Sequence, residues 1–258
     1  MEIPVKGLTK KIASAFTHIT GLELIPSWRL DALAFESFLR RLFEKYSIDV
    51  VVDVGANLGQ YRDFIRYQVG YQGLIVSFEP DPECLKVLRE RSKQDKNWLV
   101  EPYALGRQNS ELELRVAADS RFNSFLGPDR AGLTTKLFKG KSETDHTEMV
   151  EVRILNDYIN KFIELGVKRP YLKLDTQGFD LEVMGGADIF LENVCALQTE
   201  VSVRPIYDGM PGYREMFEFL SVIGFNLSQS FSVSHDPALR LIEFDCIAIN
   251  SKFADILG

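Results

Sequence analysis

The sequence predicts an α/β protein built on an open, mostly parallel sheet. The runs Val50–Val54 and Leu74–Phe78 are apolar and largely β-branched, the pattern of strands covered on both faces. Each leads through Gly- or Pro-containing turn residues into a stretch with helical spacing. At the far end, Phe225–Val233 and Leu241–Ile249 are strands too close together for a crossover helix. They must form a hairpin, so the last strand runs antiparallel to the others.

The chain of 258 residues suits one large α/β domain with an appendage, divided as a helical extension over 1–46 and the sheet domain over 47–258. Hydrophobic residues make up 45% and charged residues 26%, a globular composition. The net charge of −7 argues against a general polyanion binder and hence against nucleic acid. Cys84, Cys195 and Cys246 lie in apolar stretches without metal-ligand spacing, as reduced core residues of a cytosolic protein do. No run approaches transmembrane length and the start lacks a signal-peptide core, so a cytoplasmic location is expected.

In residues 1–46, two stripes have helical spacing: Leu8, Ile12, Ala15, Phe16 and Ile19, then Leu30, Ala34, Phe38, Leu42 and Tyr46. Such stripes normally pack on their own domain. A homodimer through these helices, another partner or a membrane surface is the alternative.

The first strand ends in Asp53-Val54-Gly55-Ala56-Asn57-Leu58-Gly59, with a helix from Leu58 to a C-cap at Gly70. A glycine turn between a buried strand and a helix lets a ligand approach the backbone and aims helix amides at it. Gly55, Ala56, Asn57 and Gly59 are therefore candidate binding residues. Asp53 is another, because its carboxylate can accept from a cationic or hydroxyl-bearing ligand. The G-x-x-x-G spacing departs from the dinucleotide fingerprint, and an ordinary corner capped by Asn57 is the competing reading. The second strand ends in Glu79-Pro80-Asp81-Pro82. Glu79, beside Pro80, is placed to take both ribose hydroxyls of an adenosine ligand, while Asp81 and Pro82 start the next helix.

Trp98–Val100 is a third strand, entering the turn Pro102–Gly106. Glu111–Val116 and Glu148–Leu155 alternate as half-exposed strands. Between them, Gly127 to His146 is polar and long enough for a substrate lid or a disordered loop, with His146 read as a solvent-facing loop residue. Asn156 or Asp157 caps a helix through Leu165. Tyr171–Asp175 and Val194–Glu200 are the fourth and fifth core strands, so Asp175 and Glu200 both end neighbouring strands, where open α/β sheets bind ligands. A cap or an ion pair is the competing role for either. Gly178 opens a short helix with apolar Phe179, Val183 and Met184, and Tyr213–Ile223 is a helix ended by Gly224. His235 and Asp236 belong to the terminal hairpin loop.

Asp53-Val54-Gly55-Ala56-Asn57-Leu58-Gly59, Phe78-Glu79-Pro80-Asp81, Lys173-Leu174-Asp175-Thr176-Gln177-Gly178-Phe179 and Met184-Gly185-Gly186-Ala187 together resemble the FkbM family of S-adenosylmethionine-dependent methyltransferases. The match runs from about Val50 to about Asn250 in order and spacing. It implies a class I (Rossmann-like) methyltransferase with a seven-stranded, mostly parallel sheet and the terminal antiparallel hairpin. It implies S-adenosylmethionine as cofactor, with Ala104 and Leu105 bordering the adenine and Ser124, in Asn123-Ser124-Phe125, belonging to a short family motif. It also implies O-methylation, commonly of a sugar, polyketide or related metabolite. Many relatives carry glutamate where this chain has Gln177.

A hydroxyl acceptor needs a base. We expect Glu200 as base and Asp175 positioning cofactor and acceptor, with a small-molecule or glycan hydroxyl as acceptor. No Asn-Pro-Pro-Tyr type motif of amino-directed nucleic-acid methyltransferases is present. The two carboxylates could hold Mg²⁺, but the further oxygen ligands are not identifiable, so no metal residue is named. The alternatives are an NAD-type oxidoreductase, against which the glycine spacing and hairpin count, and a non-catalytic cofactor-binding or scaffold protein, for which Gln177 is the hint.

Overall fold

The computed structural model describes Thr20, residues 30–129 and residues 137–254. The first helical stripe, Leu8 to Ile19, lies outside the described residues.

Helix α1 (Leu30–Tyr46) leads into β1 (Val50–Val54). Helix α2 (Gln60–Phe64), extended by a π-helical turn over Ile65–Val69, then crosses to β2 (Leu74–Phe78). Helix α3 (Pro82–Ser92) and β3 (Trp98–Glu101) complete the first half. A small sheet follows, made of β4 (Ala104–Leu105), β5 (Ser110–Ala117) and β6 (Thr144–Arg153). The second half is α4 (Ile159–Glu164), β7 (Pro170–Leu174), α5 (Asp180–Gly185), α6 (Asp188–Leu191), β8 (Ala196–Ser202), α7 (Tyr213–Val222), β9 (Phe225–His235), β10 (Leu241–Asn250) and α8 (Ser251–Ala254).

Among the described residues the main sheet has seven strands in the order β3-β2-β1-β7-β8-β10-β9. The first five are parallel, while β10 lies antiparallel between β8 and β9. The last two strands form the expected hairpin, and the order is that of a class I methyltransferase.

Side chains alternate across the sheet with period two. Val50, Val52 and Val54 join the cluster of Phe162, Met184 and Leu220 on one face, whereas Val51 joins Ile75 and Tyr171 on the other. Helix α1 covers that second face with Leu39, Leu42, Phe43 and Tyr46, and sends Phe35 against Phe231 of β9 (4.8 Å between ring centroids). The second stripe therefore packs on its own sheet. Its buried edge is rotated from the sequence reading, since Ala34 is exposed. Cys84, Cys195 and Cys246 are buried free thiols. Among the described residues no helix is long and apolar enough to cross a membrane.

Several local expectations are corrected. The first crossover helix begins at Gln60, because Asn57 and Gly59 both take positive φ (50° and 85°) and interrupt the helix; Asn57 gives no cap. Gly70 does end the crossover in the left-handed region, and Asp81 caps α3 by accepting from Glu83 and Cys84 amides (2.8 and 3.3 Å) with Pro82 first in the helix. Neither Asn156 nor Asp157 caps the helix that runs toward Leu165. A 3₁₀ turn over Leu155–Tyr158 precedes α4, and their side chains bind Phe190 N and Asn109 instead. Strand β6 begins four residues before Glu148, so His146 is an exposed strand residue opposite Val116 and not a loop residue. His235 ends β9, and Asp236 does the turn chemistry expected, accepting from Ala238 and Arg240 amides. The polar stretch 127–146 is thereby shortened, and part of it lies outside the described residues.

The turn after β1 explains its first glycine. Gly55 has φ +77°, and a Cβ there would stand 2.1 Å from the carbonyl oxygen of Asp175. This close approach, which the sequence did not show, is to the backbone that follows the neighbouring strand. Gly55→Ala should therefore destabilise the protein by about 2–4 kcal/mol. Urea denaturation checks this, and an unchanged midpoint would show that the two strand ends can separate freely.

Candidate active site

A cleft of about 580 Å³ opens at the carboxyl ends of the central strands, the place where open α/β sheets bind ligands. It is lined by Gly55, Ala56 and Asn57 after β1, Glu79 and Pro80 after β2, Tyr103, Ala104 and Leu105, and the segment Ser120–Phe125. Phe35, Tyr61 and Phe64 line it too, and Lys173, Gln198, Glu200, Glu243 and Asp245 on the sheet strands form its floor. Asp175, Thr176 and Gln177 lie in the same lining.

Glu79 is 6% exposed, and its two oxygens accept the amides of Asn57 (2.7 Å) and Asp81 (2.9 Å). Burial pushes its carboxyl up to about 7, against the lowering effect of those amides. Its ordinary value is 4.5, so the folded chain holds an extra proton between about 4.5 and 7. Glu79 thus favours the fold most below 4.5, and this contribution is lost as pH rises through 7.

The segment after β5 is tied across the cleft. Ser120 Oγ donates to Asn57 Oδ1 (3.0 Å), Asn123 Nδ2 to Asp81 Oδ2 (2.7 Å), and Ser124 Oγ to the Gln177 carbonyl (2.8 Å). Ser124 is 1% exposed. The strap joins the turns after β1, β2 and β7, although its sequence signals only a short Asn-Ser-Phe motif. Phe138 and Lys141 from the polar stretch also line the cleft.

Two sequence candidates sit elsewhere. Asp53 is completely buried beneath the cleft, because strand alternation and register place it between Ser77 and Lys173. It accepts from Ser77 Oγ (3.2 Å) and pairs with Lys173 Nζ (3.0 Å). Gly59 faces α3, where a Cβ would meet Trp98, Arg91 and Leu88. Its role is close packing, not lining the cleft.

Asp175 and Glu200 are brought together. Gln177 Nε2 donates to Asp175 Oδ1 (2.9 Å) and to Glu200 Oε2 (3.2 Å). Glu200 stands two residues inside the end of β8, not at it, because antiparallel β10 extends the pairing to Ser202. Burial raises its carboxyl well above the usual range, and Asp175, Glu243 and Asp245 add to the rise. Burial likewise brings Glu243 to about 8 and Asp245 to about 6. For Lys173, burial opposes the charge, but Asp53 and Asp175 outweigh it and hold the ammonium above its ordinary value.

Sequence reasoning passes over Lys173, Gln198, Glu243 and Asp245. Lys173 stands inside a recognised motif without a role. The others sit on strands whose facing residues become visible only with the register. Among the described residues, no group of three or more His, Cys, Asp or Glu side chains is arranged to hold a metal ion.

A parallel sheet with β10 inserted antiparallel, opening at its carboxyl ends into a cleft flanked by a buried acid just after β2, defines the class I methyltransferases. The methyltransferase FkbM domain matches over residues 53–227, more than half of the chain, and the protein belongs to that family. Among solved structures it is similar to an FkbM methyltransferase of Methylobacillus flagellatus, with 16% identity and a TM-score of 0.47 over 77% of this chain and 43% of that one. The chain thus spans less than half of that protein's length. It is also similar to fibrillarin of Aeropyrum pernix with natively bound S-adenosyl-L-methionine (12% identity, TM-score 0.42, 85% and 76% covered). A third is magnesium protoporphyrin IX methyltransferase of Synechocystis with bound cofactor (7%, TM-score 0.42, 94% and 96%). No curated protein sequence matches the chain.

The floor supplies a stability test. Lys173→Met leaves the buried Asp53 without its cation and should cost about 3–5 kcal/mol. Adding Asp53→Asn should recover much of that loss in urea melts. A double variant no more stable than the single one would show that Lys173 contributes packing alone.

Proposed function

We propose that the protein is an S-adenosylmethionine-dependent methyltransferase acting on a hydroxyl acceptor, a sugar, polyketide or related metabolite. The observation that carries this reading is Glu79. A carboxylate has about four acceptor positions, and two backbone amides use one on each oxygen of Glu79. The remainder, in a residue that lines the cleft, suit a pair of ribose hydroxyls. The cleft volume also suits a nucleoside-sized ligand.

On this reading Gly55–Asn57 and Glu79 hold the nucleoside, Ala104 and Leu105 border the base, and the Ser120–Phe125 strap covers it. The bound cofactor would supply a methyl group on a sulfonium for in-line displacement. The chain's part is to position the acceptor, exclude water and take one proton. Phe35, Tyr61 and Phe64 offer apolar faces to the acceptor, and Gln198, Glu243 and Asp245 offer hydrogen-bond partners to its polar groups. Glu200, with its raised pKa, is the base, and Asp175 positions both ligands. The buried free thiols support a cytoplasmic setting.

Labelled methyl transfer from S-adenosylmethionine into a panel of hydroxylated acceptors tests the activity, and cofactor binding without transfer would favour the scaffold alternative. Glu79→Ala should weaken cofactor binding by roughly one to three powers of ten in calorimetry. Hydroxyl donors favour the ionised carboxylate, so binding to the native protein near pH 7 should release protons, seen by repeating the titration in buffers of different ionisation enthalpy. Absence of both effects would remove Glu79 from the site. Glu200→Gln should keep cofactor affinity and lower turnover by about two to four powers of ten, whereas Asp175→Asn should impair both. The reverse pattern would exchange their roles.

A further inference from the structure

Gln177 reaches both acids of the cleft, Asp175 and Glu200, and its surroundings give it a definite task. It has φ +53° and precedes Gly178 at φ +94°, so two left-handed residues reverse the chain just beyond β7. A non-glycine residue keeps such a conformation when its surroundings hold it there. Asp180 holds this turn by accepting from the Thr176 amide (3.0 Å) and from Thr199 Oγ1 on β8 (2.5 Å). Ser124 Oγ, 2.8 Å from the Gln177 carbonyl, fixes it from the other side.

The side chain is fixed as well. Tyr207, 2% exposed, places its hydroxyl 2.9 Å from Gln177 Oε1 and 3.1 Å from the carbonyl of Phe122, two acceptors for its one hydrogen. Burial first, and then Glu243, Glu200 and Asp175, keep that phenol protonated. The hydroxyl donates to Gln177 Oε1, and the two carboxyl groups on the other side of the amide draw its N–H₂ end toward them. Both N–H hydrogens are left for the carboxylates, one for Asp175 (2.9 Å) and one for Glu200 (3.2 Å). A glutamate here would set a third carboxyl against the other two.

We propose that Gln177, locked by Tyr207 and Ser124, is a positioning residue that holds Glu200 beside Asp175 in the orientation that receives the acceptor's proton. The inference rests on the methyl-transfer reading above. In that step the acceptor O–CH₃ bond forms as the S–CH₃ bond breaks. The breaking bond's electron pair stays on sulfur, and the hydroxyl proton ends on Glu200. Donors aimed at a carboxylate favour its ionised form. Gln177 thus works against the burial and like charge that favour protonation of Glu200.

Gln177→Met keeps the length of the side chain and removes both donors. The test reads ¹³C-carboxyl titration of Glu200 in the ligand-free protein, its signal identified by its loss in Glu200→Gln, and kcat against pH with a verified acceptor. We expect Glu200 to titrate at least about one pH unit higher in Gln177→Met. We also expect kcat near pH 7 to fall roughly tenfold or more and to recover in alkaline solution, since a midpoint moved by about one pH unit changes the ratio of ionised to protonated carboxyl tenfold. Tyr207→Phe, which frees the amide to turn over, should move both readouts in the same direction by less. It carries the test if Gln177→Met fails to fold. An unmoved Glu200 titration, or a kcat loss equal at every pH, would overturn the proposal and leave Gln177 a structural residue. Failure of the native protein to bind S-adenosylmethionine or transfer methyl would sink the functional reading instead. The carboxyl titration would still decide whether Gln177 controls the acid pair.

Discussion

The Lys173–Asp53 pair, buried under the mouth of the cleft at 3.0 Å, is the interaction on which the rest of the structure depends. It lies in a polar row that crosses the otherwise apolar sheet from β3 to β10. Trp98 Nε1 donates to Ser77 Oγ (3.0 Å), and Ser77 Oγ donates to Asp53 (3.2 Å). Beyond Lys173, Gln198 accepts from the Tyr61 and Tyr171 hydroxyls (2.8 and 3.1 Å) and donates to Asp245 (2.8 Å). Charges removed from water are tolerated only when paired and hydrogen-bonded. The register supplies that pairing by setting Asp53 opposite both Ser77 and Lys173, and Lys173 opposite Gln198. A slip of one residue would turn this row to the apolar face.

Above the row, the ends of β1 and β7 are pressed together, with Gly55 under the Asp175 carbonyl. This contact sets the position of Asp175, and the Ser120–Phe125 strap ties the turns after β1, β2 and β7 to one another. The cleft thus has a hydrogen-bonded polar floor and a wall stitched by side-chain hydrogen bonds. Preorganisation of this kind suits a reaction in which positioning, more than covalent assistance, lowers the barrier. Helix α1 contributes Phe35 to the same cleft, so the helical segment before β1 helps to build the site.

Much of this is legible in the sequence because strand type and helix caps depend on near neighbours. The β-branched runs identify the parallel strands, the short separation of the last two strands requires a hairpin, and Asp81-Pro82 announces a helix start. Glu79 is visible because the carboxyl end of a second strand is a position that topology repeats. In sequence Gly55 and Gly59 look alike, yet Gly55 lines the cleft and also admits the Asp175 carbonyl, whereas Gly59 lies away from the cleft and admits α3 with Trp98. Periodicity cannot distinguish a glycine that admits a ligand from one that admits backbone.

The sequence by itself determined the sheet, its antiparallel ending, the family and the acid at the end of β2, because these follow from local pattern and motif order. Only the tertiary structure decided what each motif residue does. Asp53 turned inward because the pleat and register leave it facing Lys173. Gln177, which in sequence hinted at lost catalysis, became the amide joining Asp175 to Glu200, because β7 and β8 are neighbours and Tyr207 orients it from a distant loop. Glu243 and Asp245 entered the floor through the antiparallel pairing of β10 with β8. These roles belong to pairs of residues far apart in the chain, and a partner at that distance leaves no trace in local spacing.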